Sequence, residues 1–284
     1  MGTPALIALA VAAALLAKLD VYHLLLLVAK LRVRFGTLKA LVFAVVLRCN
    51  FMSAHPEAAA ALATAAWHDS DGYAFFSPKA TAGLLFVPGG LVQPEAYAPV
   101  LRQLAEESGM CCICVRTPFR HPMLLDKRQA QRICEQRASF IRSWAVGGHS
   151  LGSGSFGAAR LVEEWLHEPR SPHVAGLVLW AGALTSTDLS RERALPCLTL
   201  LASEDTVVPP EGKGEGGLLV RDSIRKYCPP RTRTIVIRGG NHAGFGSYGP
   251  QTFPFADGKP TVLAAEQHRH VVKHTAAFLR SIKE

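Results

Sequence analysis

From about Tyr73 onward, short and nearly unbroken apolar runs ending in Gly or Pro alternate with longer, more polar stretches of helical character. The runs are Gly83–Val87, Met110–Arg116, Trp144–Gly147, Val174–Trp180, Cys197–Ala202 and Thr234–Arg238. Between them lie Glu95–Ser108, Lys127–Arg142, Gly154–His167 and Leu218–Tyr227, and a closing helix runs from about Leu263 to Ile282. A strand wetted on one face alternates apolar and polar residues, whereas one buried on both faces is apolar throughout. Strands of the second kind interleaved with helices predict an α/β fold, a mostly parallel sheet flanked by helices on both sides. Glu211-Gly-Lys-Gly-Glu-Gly-Gly217 reads as a flexible surface loop.

The stretch before this pattern has another character. Three apolar blocks, Ala5–Ala17, Val21–Ala29 and Ala40–Leu47, are each too short to cross a bilayer core. Joined, Ala5–Ala29 is long enough, and its thirteen Leu, Ile and Val residues favour insertion by about 6 kcal/mol. Lys18 and Asp20 near its centre oppose that by about 5 to 7 kcal/mol. Two readings follow, a tilted anchor or helices lying in the interface with Lys30, Arg32 and Arg34 against anionic headgroups. No charge precedes the apolar stretch and no small-x-small site follows it closely, which disfavours a cleaved signal peptide. The basic cluster after it predicts a membrane-associated protein whose main domain faces the cytosol.

Charge supports the same division. The formal net charge is +9, and residues 1–56 contribute +5 of it, six Lys and Arg against Asp20 alone. A nucleic-acid binder would carry its basic stripe on the folded domain, so no nucleic-acid partner is expected. At 49% apolar and 19% charged residues the chain is excluded from the disordered class. The expected organisation is an apolar, basic N-terminal segment over 1–52, a connecting helix or linker over 53–72, and a main domain over 73–284. The seven cysteines are odd in number and contain no second Cys pair at zinc-site spacing, so neither a metal nor a cofactor is called for. Cys111, Cys112 and Cys114 share one apolar run, where a thiol is a small core hydrophobe.

Gly148-His149-Ser150-Leu151-Gly152 follows one strand candidate and opens the next helical stretch. A Gly-x-Ser-x-Gly between strand and helix holds its serine in a strained turn, with the hydroxyl projecting above the C-terminal edge of the sheet. A serine needs a base, and the base an orienting acid. The run from Cys197 ends in Glu204-Asp205 and the run from Thr234 ends in Asn241-His242, so Ser150, Asp205 and His242 all fall just past strand ends. Glu204 points away if Asp205 points in, and Asp188 is the second-choice acid. His268, His270 and His274 fall on a solvated face of the closing helix. A tetrahedral intermediate also needs two N–H donors, for which Leu151 and Gly90 are the candidates, with Leu91 next. Leu91, Gln93, Tyr97, His149, Phe245 and Tyr248 are expected to contact substrate, His149 also packing within the turn.

Three stretches resemble the α/β-hydrolase superfamily, and within it the lid-poor branch known as α/β-hydrolase fold family 5, related to dienelactone-hydrolase-like proteins. They are Gly83-Leu-Leu-Phe-Val-Pro-Gly-Gly-Leu-Val-Gln-Pro-Glu-Ala-Tyr97, Gly147-Gly-His-Ser-Leu-Gly152 and Gly239-Gly-Asn-His-Ala-Gly-Phe-Gly-Ser-Tyr-Gly-Pro-Gln251. The resemblance implies a serine hydrolase with Ser150, Asp205 and His242 as triad and Gly90 with Leu151 as oxyanion hole. One departure stands out. Ser153 occupies a position where such proteins carry glycine, which adds a hydroxymethyl at a tight contact. The short interval between Val174–Trp180 and Cys197–Ala202 leaves no room for a large lid, which suits small, accessible esters, whereas the apolar N-terminus would place the protein at lipids. A carboxylesterase-like activity on a small-molecule or lipid-like ester is therefore expected. A non-catalytic binding fold and an acyltransferase are the alternatives, and the sequence leaves the oligomeric state open.

Overall fold

The computed structural model describes residues 51–211 and 220–282. The chain divides into two units, Met1–Phe51 and Met52–Glu284. The apolar N-terminal blocks, Cys49 and most of the Gly-rich 211–217 stretch lie outside the described residues. Among the described residues no helix is long and apolar enough to cross a membrane.

Eight strands form one sheet: β1 Trp67–His68, β2 Gly72–Phe75, β3 Ala82–Val87, β4 Cys111–Val115, β5 Ser143–His149, β6 Val174–Trp180, β7 Cys197–Ala202 and β8 Thr232–Ile237. Their spatial order is β1-β2-β4-β3-β5-β6-β7-β8. The six strands from β3 to β8 are parallel, and β2 pairs antiparallel with both β1 and β4. The helices are α1 Glu57–Leu62, α2 Ala98–Ser108, α3 Lys127–Arg132, α4 Ala158–Leu166, α5 Val220–Tyr227 and α6 Ala264–Ser281.

Period-two alternation divides the apolar strands between two cores. Leu84 and Phe86 of β3 join Cys112 and Cys114 of β4 on the face covered by α2 and α6. Leu85 and Val87 join Cys111, Ile113 and Val115 on the face covered by α4. The cysteine run is thus split across the sheet, all three thiols are buried and free, and burial pushes each up. The core therefore explains why these strands read as uninterrupted apolar runs.

The stretch 53–72, expected as a connecting helix or linker, carries a helix and strand residues. It holds α1, β1 and the start of β2, and it lies within the same unit as the rest of the sheet. Met52 donates its N–H to Leu91 O and accepts from Gln93 N–H, and His55 N–H reaches Ser247 O. Between β6 and β7 the described residues 181–196 hold neither helix nor strand, so no cap is inserted there.

Candidate active site

Ser150 follows the last residue of β5 and adopts φ +54°, the left-handed region that costs an L-residue strain. The chain can turn there because its flanks are bare. A Cβ on Gly148 would lie 2.3 Å from Gly152 O, and one on Gly152 would lie 2.2 Å from Pro88 O. A single 3-10 turn, Ser150–Gly152, follows, and α4 starts at Ala158, four residues later than the expected start at Gly154. Ser153 fits where glycine was expected because Gly182 faces it: a Cβ on Gly182 would sit 1.6 Å from Ser153 Oγ. That hydroxyl donates to Ser150 O at 2.8 Å and braces the turn.

Asp205 follows β7 and is 2% exposed; His242 follows β8 and is fully buried. Asp205 Oδ2 lies 2.8 Å from His242 Nδ1, while Oδ1 accepts the N–H groups of Val207 and Val208 at 2.9 and 2.7 Å. Burial works against the charged imidazole of His242, but the Asp205 carboxylate, with Asp257 behind it, outweighs burial and raises its pKa. Asp257 Oδ2 accepts Ala243 N–H at 2.8 Å. His242 Nε2 is buried and carries no hydrogen bond among the described residues, nor does any join it to Ser150 Oγ. The structure therefore brings Asp205 and His242 together and shows no bond between His242 and Ser150. Glu204 accepts from Ser203 Oγ, and Asp188 is exposed and accepts Ser190 N–H, so neither alternative acid bonds to His242.

The turn after β3 lies beside the serine: a Cβ on Gly90 would meet Leu151 Cδ1 at 2.7 Å. Neither Gly90 nor Leu151 N–H donates a hydrogen bond among the described residues. Leu91 N–H is committed to Arg120 O at 2.6 Å, which removes it as a donor to substrate.

The residues expected to contact substrate fall mainly beneath the surface. Tyr97, His149 and Phe245 are fully buried, and Leu91 and Tyr248 are each 5% exposed. Tyr97, Phe245 and Tyr248 form a buried aromatic cluster around His149, the residue just before Ser150. His149 lies 4.6 Å from the His242 ring and 5.4 Å from Phe245, centroid to centroid. Its Nδ1 is 2.8 Å from the Tyr97 hydroxyl, which accepts Gly89 N–H at 3.1 Å. A hydroxyl donating to Nδ1 satisfies both groups, and burial, with His242 nearby, pushes the His149 pKa well down and keeps it neutral. Gln93 Oε1 accepts Ala54 N–H. His268 is a correction: it is 7% exposed and faces the interior, whereas His270 is solvated and His274 is partly so. Among the described residues no cluster of His, Cys, Asp and Glu is arranged to hold a metal.

A family model described as the alpha/beta hydrolase family matches residues 83–268, more than half of the chain. No curated protein matches the chain in sequence. Among solved structures, a carboxyl esterase from the mycorrhizal fungus Tuber melanosporum is similar over 75% of this chain and 82% of its own, with TM-score 0.51 and 12% identity. An α/β hydrolase from the metagenome of Lake Arreo, Spain, is similar over 76% and 80%, with TM-score 0.50 and 16% identity. A structure from work on two metagenome-derived lipolytic enzymes is similar over 75% and 99%, with TM-score 0.50 and 12% identity. At such identities these likenesses speak to the fold. The matched span runs from β3 through the strained turn at Ser150 and the paired Asp205 and His242, and the chain belongs to the α/β hydrolase family.

Proposed function

We propose that this protein is a serine hydrolase acting on carboxylic esters. The observation that carries the reading is Ser150 held at φ +54° at the end of β5, with the bonded Asp205–His242 pair at the ends of β7 and β8 of the same sheet. His242 Nε2 takes the Ser150 proton as Oγ attacks the ester carbonyl, and Asp205 fixes the tautomer and stabilises the imidazolium. The oxyanion is met by Gly90 and Leu151 N–H, and the alcohol leaves with the proton held by His242. Water, activated by the same imidazole, releases the acid and regenerates Ser150.

The surroundings of Ser150 support an apolar acyl group. Leu151 is 40% exposed, Phe156 on the following turn 37%, and Met123 48%, the last on the turn Pro122–Leu124 that packs beside Ser150–Gly152. Exposed apolar side chains on two turns that pack together beside the serine suit an apolar acyl group. Purified protein should hydrolyse p-nitrophenyl butyrate and hexanoate, and should be slower by roughly tenfold or more on an ester whose acyl group ends in a carboxylate. Ser150→Ala should reduce the butyrate rate by at least about a thousandfold. A Ser150→Ala variant that retains the wild-type rate would overturn the reading, and a faster rate on the acidic ester would overturn the substrate class.

A further inference from the structure

We propose that Gln267 of α6 is a positioning residue for His242. This rests on the reading of His242 as the base, and the residue does not itself touch the reacting atoms. Gln267 is 1% exposed and lies 26 positions along the chain from Asn241, the residue just before His242. Its Oε1 accepts Asn241 N–H at 3.0 Å, and its Nε2 donates to Asn241 O at 2.8 Å. One carboxamide therefore satisfies both main-chain groups of Asn241, as a neighbouring strand would have done had β8 continued.

The local sequence is shaped around this contact. A Cβ on Gly240 would lie 2.6 Å from Gln267 Oε1, and one on Gly244 only 2.1 Å from it. Both glycines of the Gly-Asn-His-Ala-Gly run are thus needed to admit the side chain. Asn241 is held from its other side as well: Oδ1 accepts Gly244 N–H at 3.0 Å, and Nδ2 donates to Gly258 O at 2.8 Å. Gly240 O accepts Glu204 N–H at 2.8 Å, which ties the same turn to the loop that carries Asp205.

A buried carboxamide costs free energy unless its groups are paired, so an apolar side chain would serve packing alone at least as well. What an apolar residue cannot do is fix the main chain one residue before His242, where a small rotation swings the imidazole away from Asp205. Misplacement of about 1 Å at a reacting group costs on the order of a hundredfold in rate.

The test uses Gln267→Met, which keeps length and removes both bonds, and Gln267→Leu, which removes both bonds with a shorter side chain; neither adds a charge near His242. The titratable groups that face His242 are Asp205, Asp257 and His149. With the clamp gone the Asp205 contact loosens and burial dominates, so the acid limb of kcat/KM and the imidazole titration followed by NMR should both move to lower pH. For Gln267→Met, kcat on p-nitrophenyl butyrate should fall by roughly tenfold to a hundredfold with KM within about twofold. If Gln267→Met does not fold, Gln267→Leu carries the same test. A folded variant with wild-type kcat and an unmoved limb overturns the proposal, as does a rate loss that tracks melting temperature with the limb unmoved. Wild-type activity that survives Ser150→Ala would instead sink the underlying reading, and the NMR titration would still report whether Gln267 governs His242.

Discussion

Asp205→Asn is expected to lower kcat by about four orders of magnitude while leaving KM within a few-fold. The expectation comes from how the carboxylate is divided. Oδ1 accepts two main-chain N–H groups, from Val207 and Val208, and Oδ2 faces His242 Nδ1. An asparagine must keep its oxygen toward the two N–H donors, because an NH2 group there would oppose both. Its NH2 then faces Nδ1, which must become the acceptor, and the proton moves to Nε2. An imidazole protonated at Nε2 cannot receive the serine proton. The pH dependence follows with a definite sign. The base must be neutral, and Asp205 with Asp257 holds the His242 pKa above its ordinary value of 6.5. The acid limb of the wild-type profile should therefore lie above about pH 6.5, activity falling as pH drops through it. In Asp205→Asn the main raising influence is gone, burial prevails, and the residual activity should show its limb at lower pH. A steady-state series between pH 5 and pH 9 measures both effects, at roughly half-unit spacing. A limb that stays in place would mean that the carboxylate does not govern this imidazole.

The second large effect concerns the turn itself. Gly152→Ala places a methyl 2.2 Å from Pro88 O and 2.4 Å from Val87 O, both main-chain atoms of the strand that carries the Gly89-Gly90 turn. Backbone cannot rotate aside as a side chain can, so strand and turn must separate. The loss should exceed about 4 kcal/mol, the range reached only by gross steric or polar faults. Gly182→Ala offers the contrast. Its methyl meets the Ser153 side chain, at 1.6 Å from Oγ, so the obstruction can be removed. Alone it should cost about 1–3 kcal/mol. In a Ser153→Gly background it should cost clearly less, with a coupling of at least about 1 kcal/mol in the double-mutant cycle. Denaturant midpoints for the four proteins measure this. Additive costs would show that Gly182 and Ser153 do not fit each other as the structure has it.

Much of the fold was legible because both faces of the sheet are covered. β6 and β7 run over the expected Val174–Trp180 and Cys197–Ala202, and β3, β4 and β5 differ from expectation only at their ends. β1 and β2 were hidden for a physical reason. A strand of two residues and another of four are too short to show a period, and the alanines from Ala58 onward favour helix there. The late start of α4 reflects the turn after Ser150, whose carbonyl accepts Ser153 N–H and Ser153 Oγ and so prolongs non-helical backbone.

The placement of Ser150, Asp205 and His242 just past the ends of β5, β7 and β8 was legible because each follows an apolar run. Their support was not. Gln267 sits on an amphipathic helix among Glu266, His268 and Arg269, where a glutamine reads as a solvated residue. Its one trace in the sequence is indirect, the pair Gly240 and Gly244 four residues apart around Asn241-His242, and only the structure relates that pair to Gln267. Leu91 stayed a candidate oxyanion donor until the Arg120 carbonyl was placed against its N–H, a contact between segments that no local pattern encodes. His268 belongs to the same class: a polar residue on a helix is solvated by default, and here the helix is rolled so that it faces inward.

The measurement that bears most directly on the central claim is intact-protein and peptide mass spectrometry after treatment with a fluorophosphonate. The account predicts one adduct per chain, on the peptide that contains Ser150, formed in wild type and lost in Ser150→Ala. No adduct on folded wild-type protein, or an adduct that persists on another residue when Ser150 is replaced, would contradict it.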